Sequence, residues 1–296
     1  MKVGVVFPQT ELGADPSDAA DFARAAEDLG YDHLIAYDHI LGVVPREDNW
    51  LGYTHRDMFH EPFVLFGYLA GVTSRIELTN GILVLPQRQT ALVAKQSAEV
   101  DLLSGGRLRL GVGVGWNSAE FEAVGADFKS RGQRIEEQVA VLRAFWTQEI
   151  VTFHGRWHHI DRAGINPLPV QRPIPVWMGG ESDAVFRRVA RMADGWMAGG
   201  GIVSPTSRFP PVTDGYRAMV AKIRAYAKEA GRDAGTIGLE RRLGYAESPA
   251  EWARVVAEWR AIGGTHVSVS TMRVGLSSPR AHRDAIRRVS EALRAV

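Results

Sequence analysis

The 296-residue chain contains no cysteine. That absence excludes disulfides, thiolate nucleophiles, zinc–thiolate centres and iron–sulfur clusters. A charge excess is missing too: 35 basic residues stand against 34 acidic ones, a net charge of +1. Near-neutrality argues against broad capture of nucleic acid or of an anionic membrane, while leaving room for a local anion site. No stretch approaches the ~18 apolar residues of a membrane span. The opening MKVGVVFPQTELG holds only a short apolar run, too little for the core of a secretory signal. The expectation is a cytoplasmic protein whose partner is a small molecule, with no nucleic acid and no membrane involved.

What is present is alternation. Hydrophobic residues make up 45% of the chain and charged ones 23%, enough to bury a large core. Short β-branched runs are each followed by an amphipathic stretch with helix-start signals. KVGVVF precedes a helix opened by Asp15-Pro16, with Phe22, Ala23, Ala26 and Leu29 on one face and Gly30 at its stop. HLIAYD precedes EPFVLFGYLAGVT; RIELTNGILVL precedes a helix over 90–104; RLRLGVGV precedes one over 130–146. In the second half IPVWMGG, GWMAGG, TIGLERRL and HVSVST lead into helices starting near 182, 213, 248 and 279. Ser248 and Glu251 have capping-box spacing, with Pro249 in the first turn. Eight strand–helix units give parallel strands and favour a single closed (β/α)8 TIM barrel over residues 1–296, ahead of an open Rossmann-like sheet. One segment breaks the rhythm. VTFHGRWHHI reads as a hairpin insertion around His154-Gly155, and it should start on the face opposite the active site.

Barrel enzymes place their chemistry at the C-terminal ends of the strands. That rule selects Asp38 and His39 after the second strand, at the head of a long loop. It selects Asn80-Gly81-Ile82 in the third strand, and Gly113, Gly115, Trp116 and Asn117 at the end of the fourth, GVGVGWN. It further selects Gly179, Gly180 and Glu181 after the fifth, and 199–201 after the sixth. Several strand tips therefore lack side chains at one mouth, which leaves room for something broad and flat. GGES stands directly before a helix, whose free N–H groups and positive dipole end suit a phosphate. Arg131, at another helix start, runs against the dipole and calls for an anionic neighbour. His39 has the acid/base range suited to proton exchange near neutrality. His154, His158 and His159 lack a metal-ligand pattern, so no metal site is expected there. His55, His60, Arg46 and Arg56 are candidates for a substrate-binding lid, and Arg46, Arg56, Arg131 and Arg208 for a basic groove.

At GYDHLIAYDHI, EPFVLFGYLAGVTSRIEL, LVLPQRQTALVAKQSAEVDLLSGGRLRLGVGVGWNSAEFEAVG, SRGQRIEE, FHGRWHHI and VWMGGES, the sequence resembles the luciferase-like monooxygenase superfamily, on the side of its deazaflavin (F420)-dependent oxidoreductases. The resemblance implies the barrel fold and a homodimer. It also implies hydride transfer between the deazaflavin C5 and a small organic substrate. By position, His39 and Trp116 would be the catalytic pair. Asp38, Asn80, Gly81, Ile82, Gly113, Gly115, Asn117, Arg131, Gly179, Gly180 and Glu181 would hold the cofactor, with Asn80-Gly81-Ile82 forming a bulge where the family often has a non-prolyl cis peptide. Trp116 stands where the sugar-phosphate dehydrogenases of that branch carry a glutamate, and Val43 and Val44 stand where they carry a tryptophan. The nearest carboxylate is Glu120. These departures speak against a sugar-phosphate substrate. The alternatives are an FMN-dependent monooxygenase using reduced flavin and O2, and a non-catalytic flavin-binding protein.

Overall fold

A computed structural model describes residues 1–44, 52–199, 214–245 and 248–294. Arg46, Arg208 and positions 200, 201 and 213 lie outside the described residues. The strands are β1 (Lys2–Val6), β2 (His33–Ala36), β3 (Glu77–Asn80), β4 (Leu83–Val84), β5 (Leu108–Gly113), β6 (Val151–His154), β7 (His159–Ala163), β8 (Val176–Gly179), β9 (Gly195–Ala198), β10 (Gly238–Gly244) and β11 (His266–Ser270). The helices are α1 (Pro16–Asp28), α2 (Pro62–Val72), α3 (Thr90–Ser104), α4 (Ser118–Ala123), α5 (Arg131–Thr147), α6 (Asp183–Met192), α7 (Asp214–Glu229), α8 (Pro249–Ala261) and α9 (Pro279–Arg294).

The parallel strands run in the order β3-β2-β1-β11-β10-β9-β8-β5-β4, and a further β3–β5 pairing closes the ring. β3 and β4 are one barrel strand interrupted at Gly81-Ile82, whose peptide bond is cis. The third strand is therefore not continuous but broken at its centre, at the Asn80-Gly81-Ile82 stretch where the family resemblance implies a bulge. Helix starts fall where the sequence signals them. Asp15 accepts the N–H of Ser17 ahead of α1, Ser182 accepts that of Val185 ahead of α6, and Ser248 and Glu251 form the capping box of α8. One helix is additional: α4, six residues long, follows directly on β5.

Two apolar cores result. The larger lies between barrel and helices and includes Phe22, Leu69, Trp146, Trp196 and Trp259. Each of those tryptophans donates its ring N–H to a backbone carbonyl: Trp146 to Ala94, Trp196 to Gly180 and Trp259 to His266. The smaller core fills the barrel itself with Val6, Ile35, Tyr37, Trp177, Met197 and Met272. Beneath it the interior is ionic. Glu240 on β10 meets His33 Nε2 at 2.7 Å and Arg109 Nη1 at 2.6 Å, and Arg109 reaches Glu77 at 2.5 Å. Burial alone would raise the Glu240 carboxyl; Arg109 and His33 more than reverse this and hold it below the usual carboxylate range. His266 beside this cluster is pushed down to about 3 by burial and by the charge of Arg109.

The β6–β7 hairpin starts after α5, on the side away from the strand C-termini, as expected. Its tip climbs the outer wall. The Glu137 carboxylate on α5 accepts the backbone N–H groups of Arg156, Trp157 and His158 at 2.7–2.9 Å. His158 bridges Glu137 at 2.7 Å and the Thr90 hydroxyl at 2.6 Å. α3 and α5 both begin at the mouth end, so the hairpin ties the first turn of α3 to the second turn of α5.

Glu240 is a depressed acid, so its stabilisation is full above the unfolded-state pKa of ~4.3 and fades as pH falls below it. Glu240→Gln should cost about 3–5 kcal/mol near pH 7 by stranding the buried Arg109. The difference in Tm between the two proteins should shrink as scanning calorimetry is repeated from pH 6 down to pH 3.

Candidate functional site

At the C-terminal mouth a cleft of about 1050 Å³, counted out to open solvent, is lined from β2, the β3–β4 break, β5, β8, β10 and β11. Among the described residues no helix is long and apolar enough to cross a membrane, and no three His, Asp or Glu side chains cluster as a metal site.

The first wall is the end of β2. Asp38 is buried, and its carboxylate accepts the Val84 N–H at 2.9 Å and two Arg88 donors at 2.7 and 3.3 Å. Arg88 continues to Glu61 at 2.8 Å. Asp38 thus braces the end of β2 against β4 while lining the cleft. His39 follows it. Its Nδ1 lies 2.8 Å from Oε1 of the buried Glu120. That carboxylate also accepts the side-chain amides of Asn117 at 3.1 Å and Gln87 at 3.2 Å. With amide donors on both oxygens Glu120 acts as an acceptor, so the His39 proton sits on Nδ1 and Nε2 is the nitrogen left for the cleft. The imidazole is gripped by aromatic rings: Phe59 at 4.7 Å, Tyr53 at 5.1 Å and Trp116 at 6.4 Å between centroids. Burial, with Tyr37 close by, pushes the Tyr53 hydroxyl up and keeps it neutral.

The second wall is poor in side chains. Gly81, Gly113, Gly115, Gly179 and Gly180 expose backbone, and Ile82, Val84 and Trp116 supply the apolar surface. Part of the vacated space belongs to Ile82. A Cβ at residue 113 would stand 2.6 Å from Ile82 Cδ1, and one at 179 would stand 2.7 Å from its Cγ2. A Cβ at 111 would run into the Asn80 carbonyl. Gly115 has φ +71°, a left-handed conformation that favours glycine. Immediately behind Gly180, α6 begins, its Ser182 cap taking the Val185 N–H and leaving those of Asp183 and Ala184 outside the helix's own bonding. These features fit a planar ring with an anionic tail.

The third wall carries Tyr37, Arg242, Ser270, Met272 and Arg273. Arg242 and Arg273 were not among the candidates. Their sequence context, GLERRL and STMR, reads only as a strand and its exit, and the inward period-two position of Arg242 is the one signal available. Glu120 was noted only as the nearest carboxylate. The N-x-x-E spacing from Asn117, that of an N-cap and its N3 partner, was its signal.

Of the expected site residues, Asp38, His39, Gly81, Ile82, Gly113, Gly115, Trp116, Gly179 and Gly180 come together on the cleft. Four stand behind it. Asn80 is fully buried beside the break, and its side-chain amide has no hydrogen-bond partner among the described residues. Asn117 caps α4 and holds Glu120. Arg131 stacks over Phe128 at 3.7 Å and donates to the carbonyls of Gly115 and Phe128. Glu181 accepts the Gly199 N–H at 2.9 Å. Of the candidate lid residues, His55, Arg56 and His60 do not line the cleft; Phe59, a residue of the same loop outside that set, reaches His39 instead.

A closed parallel barrel with a glycine-walled cleft at its strand C-termini and a carboxylate-held histidine on the rim is the architecture of the luciferase-like oxidoreductases and monooxygenases. The luciferase-like monooxygenase family matches residues 1–295, and the chain belongs to it. It is 36% identical over 235 residues to the uncharacterized Mycobacterium tuberculosis protein Rv0940c, covering 76% of this chain and 77% of that one. It is 32% identical over 179 residues to the FMNH2-dependent dimethylsulfone monooxygenase of Pseudomonas putida, covering 59% of this chain and 46% of that one. An F420-dependent secondary alcohol dehydrogenase solved with an F420–acetone adduct shares the fold, with a TM-score of 0.75 at 18% identity over 99% and 98% of the two chains. Members of this family are oxidoreductases and monooxygenases, and relatives use both flavin-type cofactors.

The crowding around residue 82 predicts an order of damage. Gly113→Ala presses on a movable side chain and should cost about 1–3 kcal/mol. Gly111→Ala meets a backbone carbonyl and should cost more, or abolish folding. Urea unfolding of the two variants checks this.

Proposed function

We propose that the protein is an F420-dependent oxidoreductase acting on a small organic molecule, with the reaction centred between His39 and the glycine wall. The carrying observation is the His39–Glu120 contact at 2.8 Å on the rim of a cleft built for a flat ring. When bound, the deazaflavin supplies hydride exchange at C5. Ile82 and Val84 would support the ring, and Gly179, Gly180 and the start of α6, with Arg131 nearby, would hold the phosphate end. His39 holds or exchanges the substrate proton through Nε2. Glu120 is a positioning residue that fixes the ring and tautomer of His39. Trp116 closes the side next to His39 and excludes water.

A second reading is an FMN-dependent monooxygenase, favoured by the 32% identity to the dimethylsulfone enzyme. Titration of the apo protein with F420 and with FMN, followed by fluorescence quenching, separates the two. Micromolar or tighter F420 binding with weak FMN binding is expected, and the reverse preference would move the assignment to the monooxygenase. Binding of either cofactor with no turnover of any organic substrate would leave a flavin-binding protein.

We also propose a homodimer, located in the cytoplasm. α2 and α3 expose Val64, Tyr68, Leu92, Leu102 and Leu103, apolar side chains on adjacent helices that a second copy would cover.

Two further outcomes are expected. His39→Ala should lower kcat/KM at least about hundredfold, the scale of general acid–base catalysis. Glu120→Gln should lower kcat about tenfold and alter its pH profile, while cofactor affinity stays within about threefold. Light scattering should give about twice the 32.5 kDa chain mass, falling to the monomer value when Val64 and Leu92 are both changed to Lys.

A further inference from the structure

The two cleft arginines differ in their electrostatic surroundings. Arg273 is compensated: Nη2 lies 3.0 Å from Asp57, and the guanidinium rests 4.4 Å over the Tyr53 ring. Arg242 is held by neutral groups. Nη1 donates to the Tyr37 hydroxyl at 2.6 Å, and Nη2 donates to the Gly199 carbonyl. Glu240, two residues earlier on the same inward face of β10, has its oxygens engaged by His33 and Arg109 one layer below. No carboxylate among the described residues forms an ion pair with Arg242. A half-buried guanidinium bonded to uncharged partners is under-compensated, and an anionic ligand repays that cost.

The side chain is also prepared for such a ligand. Tyr37 comes from the end of β2. Gly199 is itself fixed by Glu181, which accepts its N–H at 2.9 Å. These contacts fix the plane of the fork, and among the described residues Nε–H and the second hydrogens of both terminal nitrogens have no hydrogen-bond partner. A planar fork of that kind matches a carboxylate bidentately. Arg242 stands on β10, which the closed ring sets opposite the β3–β4 strand carrying Gly81 and Ile82, so its ligand would be the molecule facing the cofactor rather than the cofactor itself.

We infer that the substrate carries a carboxylate or comparable oxyanion group that Arg242 binds, with Tyr37 and Gly199 orienting the guanidinium. This rests on the reading of the cleft as a cofactor-and-substrate site, but it is testable on protein without cofactor. Benzoate and benzamide are matched flat probes that differ in charge. Calorimetric titration of the apo protein at fixed ionic strength should give benzoate a Kd at least tenfold tighter than benzamide. In Arg242→Met the two should fall within twofold of each other, and in Arg242→Lys a preference of threefold or more should remain. Circular dichroism melts establish folding, and Arg242→Gln, which can still bond Tyr37 and Gly199, replaces Arg242→Met should the latter fail to fold. Equal affinities in the wild type, or a benzoate preference that survives in the uncharged variant, would overturn the inference. So would a tenfold loss of F420 or FMN affinity in Arg242→Met or its Gln replacement, because the anion would then belong to the cofactor. Wild-type protein that binds neither cofactor yet prefers benzoate refutes the functional reading and leaves the anion site standing.

Discussion

The Ile82 side chain is the constraint around which the mouth of the barrel is arranged. It projects from the break between β3 and β4 into the space over β5 and β8, where Cβ atoms at 113 and 179 would stand 2.6 and 2.7 Å from it. The glycines of two separate strands are thus one steric requirement. A side chain on either strand would push Ile82 aside, and the interrupted strand with it. With Ile82 in place the barrel interior gains a shelf. Ile35, Tyr37, Trp177 and Met197 pack below it, and the cleft opens above it. Close packing makes this a discrete arrangement, since an interior at crystal-like density has little slack to share.

Charge follows the same vertical order. The lower barrel contains Glu240, Arg109, Glu77 and His33 in contact with one another, so each buried charge there has a partner. That balance lets the top layer carry an arginine whose field is not cancelled next to it. β10 supplies both levels, Glu240 to the cluster and Arg242 to the cleft, because inward positions on a strand recur every second residue. Across the cleft the ionisable pair is His39 and Glu120, and its negative member is turned away from the cleft, beneath the imidazole. The opening therefore presents the proton-accepting Nε2 of His39 on one side and a cation on another, with a nearly uncharged apolar shelf between.

Much of this was legible in the sequence, and what was not has physical causes. Helix starts at Asp15, Ser182 and Ser248 were readable because a short polar side chain before a periodic apolar run satisfies orphan N–H groups in only one way. The eight-unit rhythm gave the barrel because parallel strands need crossovers. The break at Gly81-Ile82 could not come from periodicity: a buried strand reads as a continuous apolar run whether or not it is interrupted. Only the family resemblance marked it. α4 escaped because six residues are too few to display a helical period, and Glu120 escaped with it. Arg242 was invisible as a site residue for another reason. An arginine in a strand reads as an edge or surface residue until ring closure turns its face inward. Arg131 and Glu181 show the converse, since sequence placed them at the mouth and the fold uses their side chains one step behind it.

The segment GVGVGWN shows how one stretch serves both the seat and the chemistry. Gly111 and Gly113 admit the Asn80 carbonyl and the Ile82 side chain, and so build the shelf. Gly115 turns the chain with a positive φ and offers its carbonyl to Arg131. Trp116 walls the cleft beside the imidazole. Asn117 then performs two tasks with one amide: its oxygen caps α4 at the Ala119 N–H, and its nitrogen holds Glu120 under His39. The group suited to move a proton is thereby tied to the residues that shape the floor. A displacement of β5 along its axis would shift the ring seat and the histidine's carboxylate together, keeping their relative geometry. Rigid strands with short connections to the supporting groups are the arrangement best able to hold reacting atoms within the fraction of an ångström that orientation demands.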